Sequence, residues 1–160
     1  MLVAGLGTSG TLMGVSKRLK EYNSNVKIIA VEPENEAPIQ GLKNLDVSYI
    51  PEIYDDSQID EKIYVKMEDA EHASRMLSLQ EGIFTGISSG AAMHVAINTA
   101  IKIKSGNLVV LLPDGGEKYI SHPIFYPEKC LECTKKCKIM TLWDDKYISS
   151  ISEWWQTRDE

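Results

Sequence analysis

Three short runs of residues could carry chemistry, and a fourth could bind metal. The first is Gly5-Leu6-Gly7-Thr8-Ser9-Gly10-Thr11. Its glycines let a backbone approach a ligand closely, and amides at a following helix start would point at an anion, with the Thr and Ser hydroxyls as further donors. It also reads as G-x-G-x-x-G, with Glu32 about where the ribose-binding acid of a dinucleotide site would stand. A nicotinamide-dinucleotide-binding Rossmann domain using Gly5, Gly7, Gly10 and Glu32 is therefore one reading, and a glycine-rich packing turn is another. The second run, Gly86-Ile87-Ser88-Ser89-Gly90, satisfies G-x-S-x-G, and Asp114 and His122 follow in the hydrolase order Ser, Asp, His. Only Ile83-Phe84-Thr85 could form the strand that a nucleophile elbow needs, so a serine capping a helix competes with it. The third run, Leu112-Pro113-Asp114-Gly115-Gly116-Glu117-Lys118-Tyr119, is a polar turn directly after an apolar segment.

The elements that must position these runs alternate. Leu2-Val3-Ala4, Val26 to Val31, Ile63-Tyr64-Val65 and Leu108 to Leu112 are short, apolar and mostly β-branched, as buried strands are. Leu12, Val15, Leu19 and Tyr22 recur at helical spacing, as do Met93, Ala96, Ile97, Ala100 and Ile101 before a stop at Gly106. Ala70, Ala73 and Leu77 outline a third helix between Met67 and Glu81. Strand, helix, strand repeated in this way predicts an α/β fold, an open and mostly parallel sheet with helices on its faces. Ligands in such sheets bind along the carboxyl edge, where the first and third runs fall. Residues 33–60, with Pro33, Pro38, Gly41 and Pro51, form a long irregular connection of the kind that lines sites. His72 is expected to face solvent and His94 to be partly buried, neither in catalysis.

Composition sets the outer bounds. The chain has 160 residues, the length of one ordinary domain with a short appendage. A net charge of −6 offers no basic field for phosphate backbones or anionic lipid, so nucleic acid and membrane surfaces are not expected partners. The longest apolar run, Leu108 to Leu112, is too short to span a bilayer, and Met1-Leu2-Val3-Ala4 carries no basic signal-peptide start. Three cysteines in one cluster argue for a reducing compartment, and hence a cytoplasmic location, rather than a secreted disulfide framework. A domain boundary is placed near Pro127, giving residues 1–126 and a Cys-rich extension over 127–160.

In order along the chain, the glycine run continued to Val15, Val31-Glu32-Pro33, Ile39 to Leu45, Tyr49 to Asp55, Glu81 to Ala92 and Leu112 to Tyr119 resemble the cysteine synthase family, pyridoxal-phosphate enzymes of the tryptophan synthase β-subunit fold. That fold is a three-layer arrangement with helices on both faces of the sheet. The resemblance implies a transferase of cysteine and amino-acid biosynthesis. Its reaction would be β-replacement on O-acetylserine or O-phosphoserine, with sulfide or another sulfur donor. Gly7, Thr8, Ser9, Gly10 and Thr11 would form the cup for the cofactor phosphate, and many members have Gly where Ser9 stands. Ser88 would hydrogen-bond the pyridine nitrogen and, being no carboxylate, leave it unprotonated. Gly41 would lie on the substrate side of the ring. The segments around Gly41 and Tyr49 look more like the B-type enzymes, some of which accept O-phosphoserine and a sulfur-carrier protein. There Lys43 is a cation near the substrate-phosphate position, though without the bidentate fork of arginine, and a solvated surface lysine is the competing reading. The resemblance further implies a homodimer for the full-length enzyme, and places the lysine that forms the Schiff base upstream of this chain. No catalytic residue is therefore assigned within it, and the polypeptide alone is expected to be inactive.

The extension falls outside that resemblance. Cys130, Cys133 and Cys137 follow C-x2-C-x3-C spacing in a Lys-rich stretch. With His122 as fourth ligand they suggest a Cys3His zinc site, or an iron–sulfur cluster with an outside ligand. A metal-binding interaction module is accordingly a further reading. Lys135, Lys136 and Lys138 would favour thiolates, and Trp143, Tyr147, Trp154 and Trp155 are expected to dock against the domain or a second subunit.

Overall fold

The computed structural model describes residues 1–125 apart from Glu36 and Pro123. Two units are distinguished, Met1–Ile120 and Ser121–Glu160. Of the second, residues 121, 122, 124 and 125 are described, so Cys130, Cys133, Cys137 and the four aromatic residues of the extension lie outside the described residues.

The first unit is built on four parallel strands: β1 (Leu2–Gly5), β2 (Ile28–Pro33), β3 (Glu61–Val65) and β4 (Val109–Val110), in the spatial order β3-β2-β1-β4. Both faces of the two central strands are covered, which accounts for the apolar, buried runs Leu2-Val3-Ala4 in β1 and Ile28 to Val31 in β2. Leu2 stands opposite Ile28, and Gly5 opposite Val31. β2 starts two residues later than the apolar run suggested, since the Val26 amide closes a turn on the Asn23 carbonyl at 3.1 Å. β4 is shorter than expected, although the Leu111 amide still donates to the Val3 carbonyl at 3.0 Å.

Helices α1 (Gly10–Tyr22), α2 (Met67–Gln80) and α3 (Ile87–Ala100) complete the unit. Strand alternation divides the core between the two faces of the sheet. Leu2, Ala4, Ile28 and Ala30 join Leu6, Leu45 and the α1 residues Leu12 and Met13 in one cluster. Val3, Ile29 and Val31, pointing the other way, are fully buried on the face where α3 packs. α3 is buried all round over Ile87 to Ala92, Ser88 and Ser89 included, because it is enclosed by the sheet and by α2. Gly90 permits that approach: a Cβ there would strike the Ala70 carbonyl and lie 2.7 Å from the Ser74 amide nitrogen.

Two helical faces differ from expectation. In α1 the buried residues are Leu12, Met13 and Ser16, whereas Val15 is 36% and Tyr22 75% exposed. Tyr22 instead lies beneath the Arg18 guanidinium, 4.3 Å from its ring centre, on the solvent side. In α3 the core residues are Ile87, Ala91, Ala92, Val95 and Ala96, while Ile101 beyond the helix end is exposed. The helix stops at Ala100 rather than near Gly106. Surrounded on two sides, α3 has no polar face from which its orientation could be read.

The 33–60 connection contains a single turn of 3-10 helix, Asp56–Gln58, and is otherwise irregular. Side chains strap its middle to the sheet. Asn44 Nδ2 donates to the Pro33 carbonyl, the Leu45 amide donates to Glu32 Oε2, and the Lys43 amide donates to the Leu6 carbonyl, each at 2.8 Å. No helix among the described residues is long and apolar enough to cross a membrane. In the second unit the Ile124 amide donates to His122 Nδ1 at 3.4 Å and the Phe125 amide to the His122 carbonyl at 3.0 Å.

Candidate active site

The carboxyl ends of β1, β2 and β4 and the amino ends of α1 and α3 meet along one edge of the sheet. The loop leaving β1 is anchored by the Leu6 amide, which donates to the Val31 carbonyl at 2.8 Å, and Leu6 itself is fully buried. The next turn brings Ser9 to φ 70°, the left-handed region, as the residue before α1. Ser9 is the one non-glycine residue with positive φ among those described, and holding it there costs about 1–3 kcal/mol. Its hydroxyl makes no capping bond and is buried without a hydrogen-bond partner. Helical geometry leaves the amides of Gly10, Thr11 and Leu12 without intrahelical acceptors, while Thr8, Gly10 and Thr11 are solvent-exposed. An acceptor-only, negatively charged group is what this arrangement lacks.

The strapped loop from the 33–60 connection forms the adjoining wall. A Cβ on Gly7 would sit 2.7 Å from the Gly41 carbonyl oxygen, so only glycine lets these two segments touch. Gly41 has φ 91°, and the position its Cβ would take lies 3.5 Å from Ser88 Oγ. Gly7, Gly41 and Ser88, far apart in sequence, are thus neighbours in space. Lys43 is exposed on the same loop, held through its amide.

Ser88, 3% exposed, is the second residue of α3 and donates to Asp114 Oδ1 at 3.1 Å. The fully buried Ser89 donates to the same oxygen at 3.0 Å. Burial and the neighbouring Asp114, to which it is hydrogen-bonded, raise the Tyr119 phenol above its ordinary range. The Gly86 amide donates to the Asp114 carbonyl at 3.2 Å, and Thr85 pairs with Gly115 as an isolated antiparallel bridge. A side chain at Gly86 would collide with the Asp114 carboxylate. The gathering of hydroxyls on Asp114 was not foreseen from sequence. The signal for it was Leu112-Pro113-Asp114-Gly115-Gly116 emerging from a buried strand at the carboxyl edge.

The geometry corrects two readings. Glu32 is fully buried, and its Oε2 is spent on the Leu45 amide, so it faces the strapped loop and presents nothing to a ribose. Burial raises its pKa, with the Leu45 bond opposing. The dinucleotide reading loses its acid. The elbow reading fails as well: residues 81–84 form no strand, and the Ser88 hydroxyl donates straight to a carboxylate, whereas a hydrolase nucleophile donates to imidazole. His72 is not solvent-facing as expected, since it is half-buried and its Nε2 is enclosed. His94 is half-buried as expected, its Nε2 lies 2.9 Å from Asn98 Nδ2, and burial lowers its pKa. Among the described residues no group of three or more His, Cys, Asp or Glu is placed to hold a metal ion.

Residues 1–114 match the family described as pyridoxal-phosphate dependent enzyme. A cysteine synthase of Aquifex aeolicus is 42% identical over 128 residues, which is 77% of this chain and 39% of that protein. Cysteine synthase B of Pseudomonas aeruginosa is 36% identical over 125 residues, 78% of this chain and 42% of that one. Among solved structures, an O-ureido-L-serine synthase superposes with a TM-score of 0.71 at 34% identity, covering 82% of this chain and 46% of its own. O-acetyl serine sulfhydrylase isoform 3 of Entamoeba histolytica does so with 0.70 at 32% identity, covering 78% and 40%. The chain therefore spans about two fifths of the length of the curated relatives it matches. With the helix-start cup, the glycine contact and Ser88 on one edge of a parallel sheet, the chain belongs to the pyridoxal-phosphate dependent enzyme family.

Proposed function

We propose that the chain is the cofactor-phosphate-binding part of a B-type cysteine synthase, catalysing β-replacement on O-acetylserine or O-phosphoserine with sulfide or another sulfur donor. The observation that carries this is the buried, unpartnered Ser9 hydroxyl beside the open start of α1. Gly7, Thr8, Ser9, Gly10 and Thr11 would hold the phosphate, with three amides and up to three hydroxyls as donors and no competing side chain at Gly7. Ser88 would meet the ring nitrogen across from Gly41. Pyridoxal phosphate, when bound, supplies the electron-withdrawing ring that makes the β-substituent of an amino acid a leaving group. The chain's own part is to bind and orient: the cup fixes one end, Ser88 the other, and the Gly41 loop bounds the substrate side.

Lys43, exposed on that loop, supports an anionic substrate such as O-phosphoserine, and the B-type likeness extends to a sulfur-carrier protein as donor and a homodimer as the working form. None of the chain's lysines matches the family's Schiff-base context, so turnover would need that residue from the part of the fold that this chain does not span. A boundary near Pro127 separates the domain from an extension in which Cys130, Cys133 and Cys137, with His122, would bind zinc or an iron–sulfur cluster. Their odd, clustered number supports a reducing, cytoplasmic setting.

Equilibrium dialysis of the chain against pyridoxal phosphate and against NAD tests the central reading. Saturable binding of pyridoxal phosphate that weakens at least tenfold in Thr8→Ala/Thr11→Ala is expected. Preferential NAD binding overturns it.

A further inference from the structure

β2 carries an acid that the sheet buries. Ile28, Ala30 and Glu32 alternate along β2 with Ile29 and Val31, and Ile28 and Ala30 belong to the cluster that holds Leu12 and Met13 of α1 and Leu45 of the strapped loop. Glu32 closes that row on the α1 face, at the carboxyl end of the sheet where α1 begins. β1 and β2 are neighbours about 5 Å apart, and Gly5 stands opposite Val31. The Glu32 carboxylate is therefore one strand over from the loop that opens the cup.

This carboxylate is poorly compensated. Its Oε2 accepts the Leu45 amide at 2.8 Å, whereas its Oε1 is buried without a hydrogen-bond partner. The charged groups acting on it are Lys62 on β3, Asp46 on the loop and Asp56 on the 3-10 turn. Tyr64, its partner in the β2–β3 register, donates its hydroxyl to Asp46 Oδ2 at 2.7 Å. The Lys62 ammonium is drawn to Asp56 Oδ1 at 2.8 Å, so the surroundings of Glu32 are negative on balance. A phosphate at the start of α1 adds more negative charge at the same end and on the same face. Its charge is met by helix-start amides, while that of Glu32 is met by a single amide, so Glu32 is the group that neutralises.

We propose that Glu32 is proton-linked to the cup: a phosphate-bearing ligand and a proton on Glu32 each favour binding of the other. The inference rests on the cofactor reading above and concerns how pH governs that site. Ionisation of Glu32 has two opposed effects. A charged Oε2 holds the Leu45 amide more tightly, which favours an ordered loop. That loop keeps its ties from the Lys43 amide to the Leu6 carbonyl and from Asn44 to the Pro33 carbonyl, both at 2.8 Å, whichever state Glu32 takes. Repulsion of the incoming anion has no such substitute, and it sets the sign. Ligand affinity falls as pH rises through the folded pKa of Glu32, by the factor with which the ligand raises that pKa.

The test is isothermal titration calorimetry of the whole chain with pyridoxine 5′-phosphate from pH 5 to 8, beside Glu32→Gln, which keeps an acceptor for the Leu45 amide and cannot ionise. Ionisation of the ligand's own phosphate affects both proteins alike and cancels in the ratio of their Kd values. The two should bind equally at the low end, and the unaltered chain should become at least threefold weaker than Glu32→Gln at the high end. A ratio that stays flat with saturable binding overturns the proposal and leaves the cofactor reading standing. Absence of saturable binding in the unaltered chain overturns both. Should Glu32→Gln fail to fold by circular dichroism, NMR of the unaltered chain with 13C-labelled glutamate decides, the Glu32 carboxyl being identified through the Leu45 amide. Its titration midpoint should rise when the ligand is saturating, and an unmoved midpoint overturns the proposal.

Discussion

At Ser9 two costs coincide, a left-handed backbone and a buried hydroxyl without a partner. Ser9→Gly should relieve about 1–3 kcal/mol of backbone strain against about 0.4–1 kcal/mol of added unfolded-state freedom. Its expected effect is a gain of about 1 kcal/mol in denaturant unfolding, accompanied by weaker phosphate binding because a donor is lost. Glu32 poses a different residue-scale question. Its pKa is raised on folding, so the native state holds the proton more tightly than the unfolded chain does. Stability is then highest below the unfolded value near 4.5 and falls as pH rises through the higher folded value. Glu32→Gln keeps an acceptor for the Leu45 amide and cannot ionise, so its unfolding free energy should lose that decline. Parallel urea titrations across this range check it, and an unchanged slope would assign the pH dependence elsewhere.

Between elements, α2 and α3 approach closely where Gly90 sits against Ala70 and Ser74, and Ser74 Oγ donates to the Thr85 carbonyl at 2.8 Å. Gly90→Ala should destabilise the unit by about 1–3 kcal/mol through overpacking, despite alanine's better helix propensity. Because α3 carries Ser88, ligand affinity should fall along with stability. Gly7→Ala acts between loops: its methyl would push on the Gly41 carbonyl, whose segment is tied to Leu6, Pro33 and Glu32. Phosphate-ligand affinity is expected to drop at least tenfold and the unfolding midpoint to fall with it, because the atom met is a tied backbone carbonyl rather than a flexible side chain, and paired dialysis and melting experiments check both.

For the whole molecule, a ligand that binds only the folded state must raise its melting temperature. At about 100 times Kd the stabilisation is about 2.7 kcal/mol, and calorimetry with increasing pyridoxine 5′-phosphate should show Tm climbing by several degrees. A flat Tm would remove the cup from consideration. The sequence by itself determined the parallel α/β class, the presence of α1, the extent of α2 and the glycine-rich turn between β1 and α1, because strand runs, turn glycines and helix periods are local properties. It did not determine which face of α1 or α3 is buried, since Val15 and Tyr22 have apolar side chains but stand outward, and α3 lacks a polar stripe. Only the tertiary structure decided that Glu32 is buried as a loop clasp rather than offered to a ligand. Only it made Gly7, Gly41 and Ser88 neighbours and set Asp114 against Ser88. Those pairings span from 13 to more than 40 residues and depend on the register of the sheet and the reach of one irregular loop, which no local pattern encodes.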